Sequence, residues 1–156
     1  MFDAPVDAWY VWLGLAVASL AVFGSASSLP TTPPPDAADT ADTVDSVAAA
    51  AYETTAEHPL SAAAVRVGPH RLALRNDAAT SHAEFAFGPV TPVRRGSRLE
   101  RVLHGTPVDV VFADRQAFQQ AVIDARTRDP TWQETDRSLL VRRVSWEGDD
   151  VTLVGA

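Results

Sequence analysis

The stretch RLALRNDAATSHAEFAF, residues 71–87, carries the clearest folding signal in this chain. Apolar and polar side chains alternate over Arg71–Arg75, residues 76–79 have turn character, and the alternation resumes over His82–Phe87. Alternation with a period of two residues is typical of a strand with one buried face, so the stretch predicts an antiparallel hairpin. We expect four side chains to face inward: Leu72, Leu74, Phe85 and Phe87.

Three further extended segments flank this hairpin. Ala64–Val67 precedes it as a short strand, and Gly88–Val93 follows it as an edge broken by proline. Leu139–Trp146 and Val151–Val154 surround a turn at residues 147–150 and predict a terminal hairpin.

One main helix is expected between these strands. Asp114 is a candidate N-cap, and Asp129-Pro130 ends the helical pattern. Its apolar stripe consists of Phe118, Ala121, Val122 and Ala125, and a shorter helical turn is expected at Leu99–Leu103. The predicted fold class is α+β, with about five short antiparallel strands and one main helix packed on them.

An uncharged, mainly apolar segment precedes this domain. Ala8–Leu29 has 22 residues, and as a helix it would be about 33 Å long, enough to cross a hydrocarbon core of about 30 Å. Trp9, Tyr10 and Trp12 lie at its start, as aromatic side chains do at membrane interfaces. The preceding residues contain two Asp and no basic residue, which favours a retained anchor over a cleaved signal peptide.

A proline-rich stretch connects the anchor to the domain. Residues 30–35 predict a polyproline-like spacer, and Asp36 is a candidate N-cap for a thin amphipathic helix over Asp36–Tyr52. The predicted organisation is therefore a tail and transmembrane helix at 1–29, an acidic stalk at 30–57, and a soluble α+β domain at 58–156. Because no basic residue retains the flanks in the cytoplasm, we expect the domain to lie outside the cell membrane.

Charge is distributed unevenly along this chain of net charge −7. Residues 1–65 contain eight acidic residues and no Lys or Arg, and all 13 basic residues that follow are Arg. No basic patch is large enough for a nucleic-acid site, so no nucleic-acid partner is expected. An acidic chain with Arg but no Lys is typical of haloarchaeal proteins, although another GC-rich source also fits. The chain has no Cys and therefore no disulfide framework.

Few residues suggest chemistry. His82 and Glu84 share one strand face but have no third ligand at a recognisable spacing, and the other histidines stand apart. Asp149-Asp150 lies in a turn, where paired acids are usually exposed. Arg94–Arg98 forms the one basic cluster. It is either a solvated loop or a contact for lipid headgroups or an acidic partner. Trp132 and Trp146 suit a core or its rim. No catalytic, cofactor-binding or metal-binding residue is predicted, and no cofactor.

Several motifs resemble a family of uncharacterised haloarchaeal single-pass membrane proteins. They are MFDAPVDAWYVW at 1–12, the proline-rich stretch at 29–37, EHPL at 57–60, LRND at 74–77 and GPVTPV at 88–93. Such proteins look like companions of archaeal type IV pilus or secretion-type systems, which implies an accessory role in the envelope. An ordinary pilin would carry a basic residue and Gly before its helix, where this chain has Asp7-Ala8.

The leading hypothesis is a non-enzymatic, membrane-anchored envelope protein, held in the lipid bilayer through Ala8–Leu29, that binds other proteins of a pilus-like assembly. Two alternatives stay open. A membrane-tethered enzyme with an unrecognised site would gather His82, Glu84 and His104 around a metal. A secreted ligand-binding module would have its mature N-terminus near Ser27.

Overall fold

The computed structural model describes the backbone of residues 8–27 and 32–156 and the side chains of residues 9–22 and 32–156. The chain divides into two compact units, Met1–Pro33 and Pro34–Ala156. In the first unit, helix α1 spans Ala8–Ser27 and contains no charged residue. Within the described residues, no helix is both long and apolar enough to cross a membrane. The predicted membrane segment Ala8–Leu29 extends to residues outside the described part.

The second unit is α+β, as expected. Its helices are α2 (Ala37–Ala48), α3 (Arg98–Leu103), α4 (Val108–Val111) and α5 (Arg115–Thr127). Its strands are β1 (Thr54–Pro59), β2 (Ala64–Val67), β3 (Arg71–Arg75), β4 (Thr80–Glu84), β5 (Thr91–Pro92), β6 (Gln133–Glu134), β7 (Ser138–Trp146) and β8 (Asp149–Gly155).

These strands form two four-stranded sheets rather than one sheet of about five strands. The first sheet has the order β1-β7-β8-β5, and the second has the order β4-β3-β2-β6. All pairs are antiparallel except β5 with β8, which is parallel. The sequence missed β1 and β6 because neither contains an apolar run: β1 reads TTAEHP, and β6 consists of Gln133 and Glu134.

Helix α2 lies in the core of the second unit. Its stripe of buried residues, Ala37, Ala41, Val44 and Val47, joins a cluster with side chains of both sheets, including Leu72, Leu74, Leu139 and Val141. The helix thus packs against strands of both sheets. The compact unit starts at Pro34, so α2 and β1 belong to the folded domain and not to a stalk before residue 58. The small apolar face of α2 is matched by the sheet surfaces that cover it.

Helices α3, α4 and α5 pack on the other face of the first sheet. Leu99, Phe112 and Phe118 are buried there with Val144 and Leu153. Because successive strand residues point to opposite faces, β7 sends Val141 to the α2 side and Val144 to this side. The predicted stripe of the main helix is confirmed: Phe118, Val122 and Ala125 are buried and Ala121 is partly buried.

The predicted turns and caps are largely confirmed. The side chain of Asp36 accepts a hydrogen bond from Asp39 N at the start of α2, and that of Asp114 accepts one from Ala117 N at the start of α5. In the β7–β8 turn, Glu147 and Gly148 have φ values of 49° and 86°, as a tight two-residue hairpin requires. Phe87 departs from expectation, since it lies beyond the end of β4 and is 56% exposed.

Candidate functional site

The histidines and acids considered for a metal site lie apart. His82 is exposed on β4 opposite Ala73, and Glu84 lies opposite Arg71 in the same hairpin. His104 follows α3 as its C-cap residue and lines a different cavity. Among the residues that the structure describes, no three His, Cys, Asp or Glu side chains are close enough together to hold a metal ion. The structure therefore does not bring His82, Glu84 and His104 into one site.

His58 has a structural position between β1 and α2. Its Nδ1 atom lies 2.9 Å from the Oγ1 atom of Thr43, and its Nε2 atom lies 3.7 Å from a carboxylate oxygen of Asp39. These contacts connect the first strand of the sheet to the helix packed on it.

Asp149 and Asp150 have different surroundings, although they are neighbours at the start of β8, directly after the turn. Arg115 donates from Nε and Nη2 to the two carboxylate oxygens of Asp149, at 2.7 and 2.9 Å, and the Asp149 side chain is only 22% exposed. Asp150 pairs with Arg143 at 3.1 Å and is 54% exposed. The expectation of exposed acids holds for Asp150, whereas Asp149 is engaged by α5.

The two tryptophans that follow α5 differ in role. Trp146 packs edge-on against Phe118 in the core, with ring centroids 5.8 Å apart. Trp132 lies beside the second sheet, where the guanidinium carbons of Arg66 and Arg75 lie 4.9 and 4.5 Å from its ring centroid. This stacking occupies the Trp132 ring with cations of the protein itself.

The predicted basic cluster is shaped by a turn. Ser97 N donates to Arg94 O at 3.2 Å, and Gly96 lies between them with a φ of 77°, a backbone conformation that favours glycine. The Ser97 side chain accepts from Glu100 N, and the Glu100 carboxylate accepts in return from Gly96 N at 2.6 Å. This reciprocal capping places Arg94 after β5 and Arg98 at the first position of α3.

A cavity of about 160 Å³ lies where this turn meets the end of α5. We call it the arginine cleft because Arg94, Arg98 and Arg128 line it. The remaining lining residues are Pro92, Ser97, Leu99, Ala121, Asp124 and Ala125. Arg128, the C-cap residue of α5, was not singled out from the sequence, since no local pattern relates it to the cluster at 94–98.

The charges of the arginine cleft are unbalanced. The ion pairs among the described residues involve Arg95, Arg115, Arg143 and His58, and none of the three cleft arginines. Arg94 donates to the hydroxyl of Thr131 at 3.3 Å, and Arg98 lies 4.7 Å from the centre of the Phe112 ring. Arg94 and Arg98 thus contact neutral side chains, and Arg128 adds a third guanidinium group to the lining.

A fourth arginine, Arg126, lies between α5 and β5. Its Nε atom donates to the buried Thr91 hydroxyl at 2.9 Å. Partial burial lowers the pKa of Arg126 from its usual value, because removal from water disfavours the charged form. An arginine nevertheless stays protonated near neutral pH, so this guanidinium adds positive charge to the elements that form the cleft.

A larger cavity of about 300 Å³ has more acidic side chains than arginines in its lining. Its lining includes Glu57, Glu100, His104 and Asp136, and it shares Arg94 with the arginine cleft. Arg95 lies in the same lining and pairs with Asp136 at 2.8 Å. Acids outnumber arginines in this lining, whereas arginines outnumber acids in the arginine cleft.

Comparison with known proteins identifies a family for this chain but no individual relative. No curated protein and no solved structure matches it. A model described as a family of unknown function, DUF7283, matches residues 3–144, which is most of the chain. The expectation of an uncharacterised family is thereby confirmed, and the chain belongs to the DUF7283 family.

Proposed function

We propose that this protein is a non-enzymatic, single-pass membrane protein of a haloarchaeal cell envelope, whose folded unit binds other envelope proteins as an accessory component of a pilus-like assembly. The observation that carries the proposal is the surface of α1. The pilus-like partner and the haloarchaeal envelope rest on the sequence resemblance and on the acidic, Arg-only composition.

Helix α1 is apolar on every side. Large apolar side chains that cover all directions around its axis are exposed, with Val11 at 72% and Trp12 at 71%. The 20 residues of α1 contain no charge. The predicted membrane segment, Ala8–Leu29, continues beyond α1, and its 22 residues would form about 33 Å of helix, against a hydrocarbon core of about 30 Å. A helix that is apolar all round needs an apolar environment, and a bilayer provides one.

The family match supports a link between the helix and the folded unit. It begins at residue 3 and extends to residue 144, so it includes α1 together with most of Pro34–Ala156. A pattern shared over both parts favours a folded unit that works while attached to the helix.

Membrane fractionation of the full-length chain tests the anchor. We expect the chain to stay with membranes after an alkaline carbonate wash and to need detergent for release. The double change Val17→Arg with Leu20→Arg should release it, because each Arg near a helix centre costs about 2.5–3.5 kcal/mol on insertion. The matched double change Ala38→Arg with Ala49→Arg, at exposed positions of the second unit, should leave the chain bound to membranes. Release of the unchanged chain by carbonate would contradict the anchor.

Two further experiments test the envelope role. Protease added to intact cells should cleave the folded unit if it faces outward, and full protection that is lost on lysis would contradict that orientation. Chemical crosslinking followed by purification from membranes should recover pilus-type subunits. Recovery of nothing beyond the level of an untagged control would contradict the binding role.

A further inference from the structure

The arginine cleft brings together cations that are distant in sequence. Arg94 follows β5, Arg98 starts α3, and Arg128 ends α5, yet all three line one cavity of about 160 Å³. Packing of α5 on β5 and α3 produces this convergence. Like charges repel, so three guanidinium groups around one cavity favour the binding of an anion between them.

Three other arginines of the folded unit form ion pairs. Arg95, Arg115 and Arg143 each contact a carboxylate, at 2.8, 2.7 and 3.1 Å respectively. In the cleft, Asp124 is the one acidic lining residue, and it accepts a hydrogen bond from Gln120 at 2.7 Å. Three Arg and one Asp leave the lining with a formal charge of +2.

The geometry favours a tetrahedral oxyanion over a carboxylate. A guanidinium group presents several N–H donors in a planar fork, and one or two such forks saturate the two oxygens of a carboxylate. A phosphate group offers more acceptor oxygens in three dimensions, and as a monoester it carries a charge of about −1.5 to −2 at neutral pH, which matches the cleft. The Ser97 hydroxyl, also in the lining, can add a neutral donor.

We propose that the arginine cleft binds a phosphate group, carried either by a lipid headgroup or by a soluble phosphate compound. The site is independent of the membrane role proposed above, because it rests only on residues of the folded unit. Arg94 and Arg128 bind the phosphate oxygens, and Arg98, stacked on Phe112, is held in place as the third donor.

Calorimetric titration of the full-length chain in a nonionic detergent tests this site. The probes are inorganic phosphate and glycerophosphoglycerol, a soluble diester with the headgroup chemistry of an anionic lipid. We expect saturable, competitive binding at about millimolar concentration, weakened by added salt. Tighter binding of the diester assigns the site to a lipid headgroup, and tighter binding of inorganic phosphate assigns it to a soluble phosphate compound.

Two matched variants separate the cleft from general surface charge. Arg128→Gln removes an exposed cleft arginine and should weaken binding about tenfold or more. Arg101→Gln removes the same charge from an exposed position of α3 outside the cleft and should leave binding unchanged. Arg98→Lys, which keeps the charge but loses the planar fork, should also weaken binding. Equal effects of Arg128→Gln and Arg101→Gln, acetate binding as tight as phosphate binding, or no binding of either probe would overturn the proposal.

Discussion

Arg115 and Asp149 form a two-pronged ion pair that joins the first turn of α5 to the start of β8. The two hydrogen bonds measure 2.7 and 2.9 Å, and Gln119 donates a third to the same carboxylate at 2.9 Å. The hydrogen bond from Arg115 holds the pKa of Asp149 below its usual value, and the pair raises the pKa of Arg115. The main helix is thereby attached to the terminal hairpin by charge as well as by apolar packing.

Asp149→Asn should lower the melting temperature at neutral pH, because the ion pair with Arg115 is lost. A carboxyl group whose pKa is lower in the folded state stabilises that state above its unfolded pKa, and this contribution disappears as pH falls through the folded pKa. The difference in melting temperature between wild type and variant should therefore have its full size above about pH 4 and disappear at lower pH. Asp109→Asn, at an exposed acid of α4, is the control. A difference that does not change with pH would show that the charge of Asp149 is not its cause.

Phe118→Ala should destabilise the folded unit by about 3–5 kcal/mol in urea denaturation, since it leaves a cavity in the core. Phe118 is fully buried and contacts the rings of Phe112 and Trp146 edge-on. Ile123→Ala, on the exposed side of the same helix, should change stability by no more than about 0.5 kcal/mol. Similar losses for the two variants would contradict the assigned packing face of α5.

A fragment that starts at Pro34 should fold cooperatively, whereas one that starts at His58 should not. The longer fragment retains α2 and β1, and the shorter one exposes the core surface that Val44 and Val47 cover. Thermal denaturation followed by near-ultraviolet circular dichroism distinguishes them. Val44→Asp in the longer fragment should also abolish the cooperative transition, because it places a charge at a fully buried position. A cooperative transition in the shorter fragment would mean that α2 is dispensable.

Asp45→Ala should destabilise the unit by about 1 kcal/mol, because two backbone donors lose their partner. The Asp45 carboxylate accepts from Ala86 N and Phe87 N, both at 2.9 Å, and so fixes the segment after β4 to α2. Asp42→Ala is a matched control on the exposed face of the same helix. Hydrogen exchange at the two amides provides a local measurement, and unchanged protection in Asp45→Ala would contradict the role of this contact.

The two hairpins show what the period-two pattern of the sequence can predict and what it cannot. Alternation over Arg71–Arg75 correctly predicts β3 and the burial of Leu72 and Leu74, although Ala73 between them is buried as well. The β7–β8 hairpin follows from the same pattern and its Glu147-Gly148 turn. The pattern did not predict that Phe87 lies outside the sheet, because the chain leaves β4 at Glu84. Side-chain alternation predicts a strand and its buried large side chains, but not the residue at which its pairing with the neighbouring strand ends.

Helix α2 shows where local signals are insufficient. Its N-cap and its stripe of small apolar residues are readable from the sequence, and both are present. Its place between two sheets is not readable, because the partners Leu74 and Val141 lie far along the chain. The acidic residues around the stripe suggested an exposed stalk, whereas packing buries one side and leaves Asp39 and Asp42 in solvent.

The sequence by itself determined the α+β class, the strand periodicity, the helix caps and the apolar character of α1, because these features depend on residues within a few positions of each other. Only the tertiary structure decided that the strands form two sheets, that α2 belongs to the core, and that Arg128 lies beside Arg94 and Arg98. Those outcomes depend on which apolar faces cover one another, and that choice is made among residues tens of positions apart. The arginine cleft exists because the packing of α5 places its C-terminal end against the turn at 94–97.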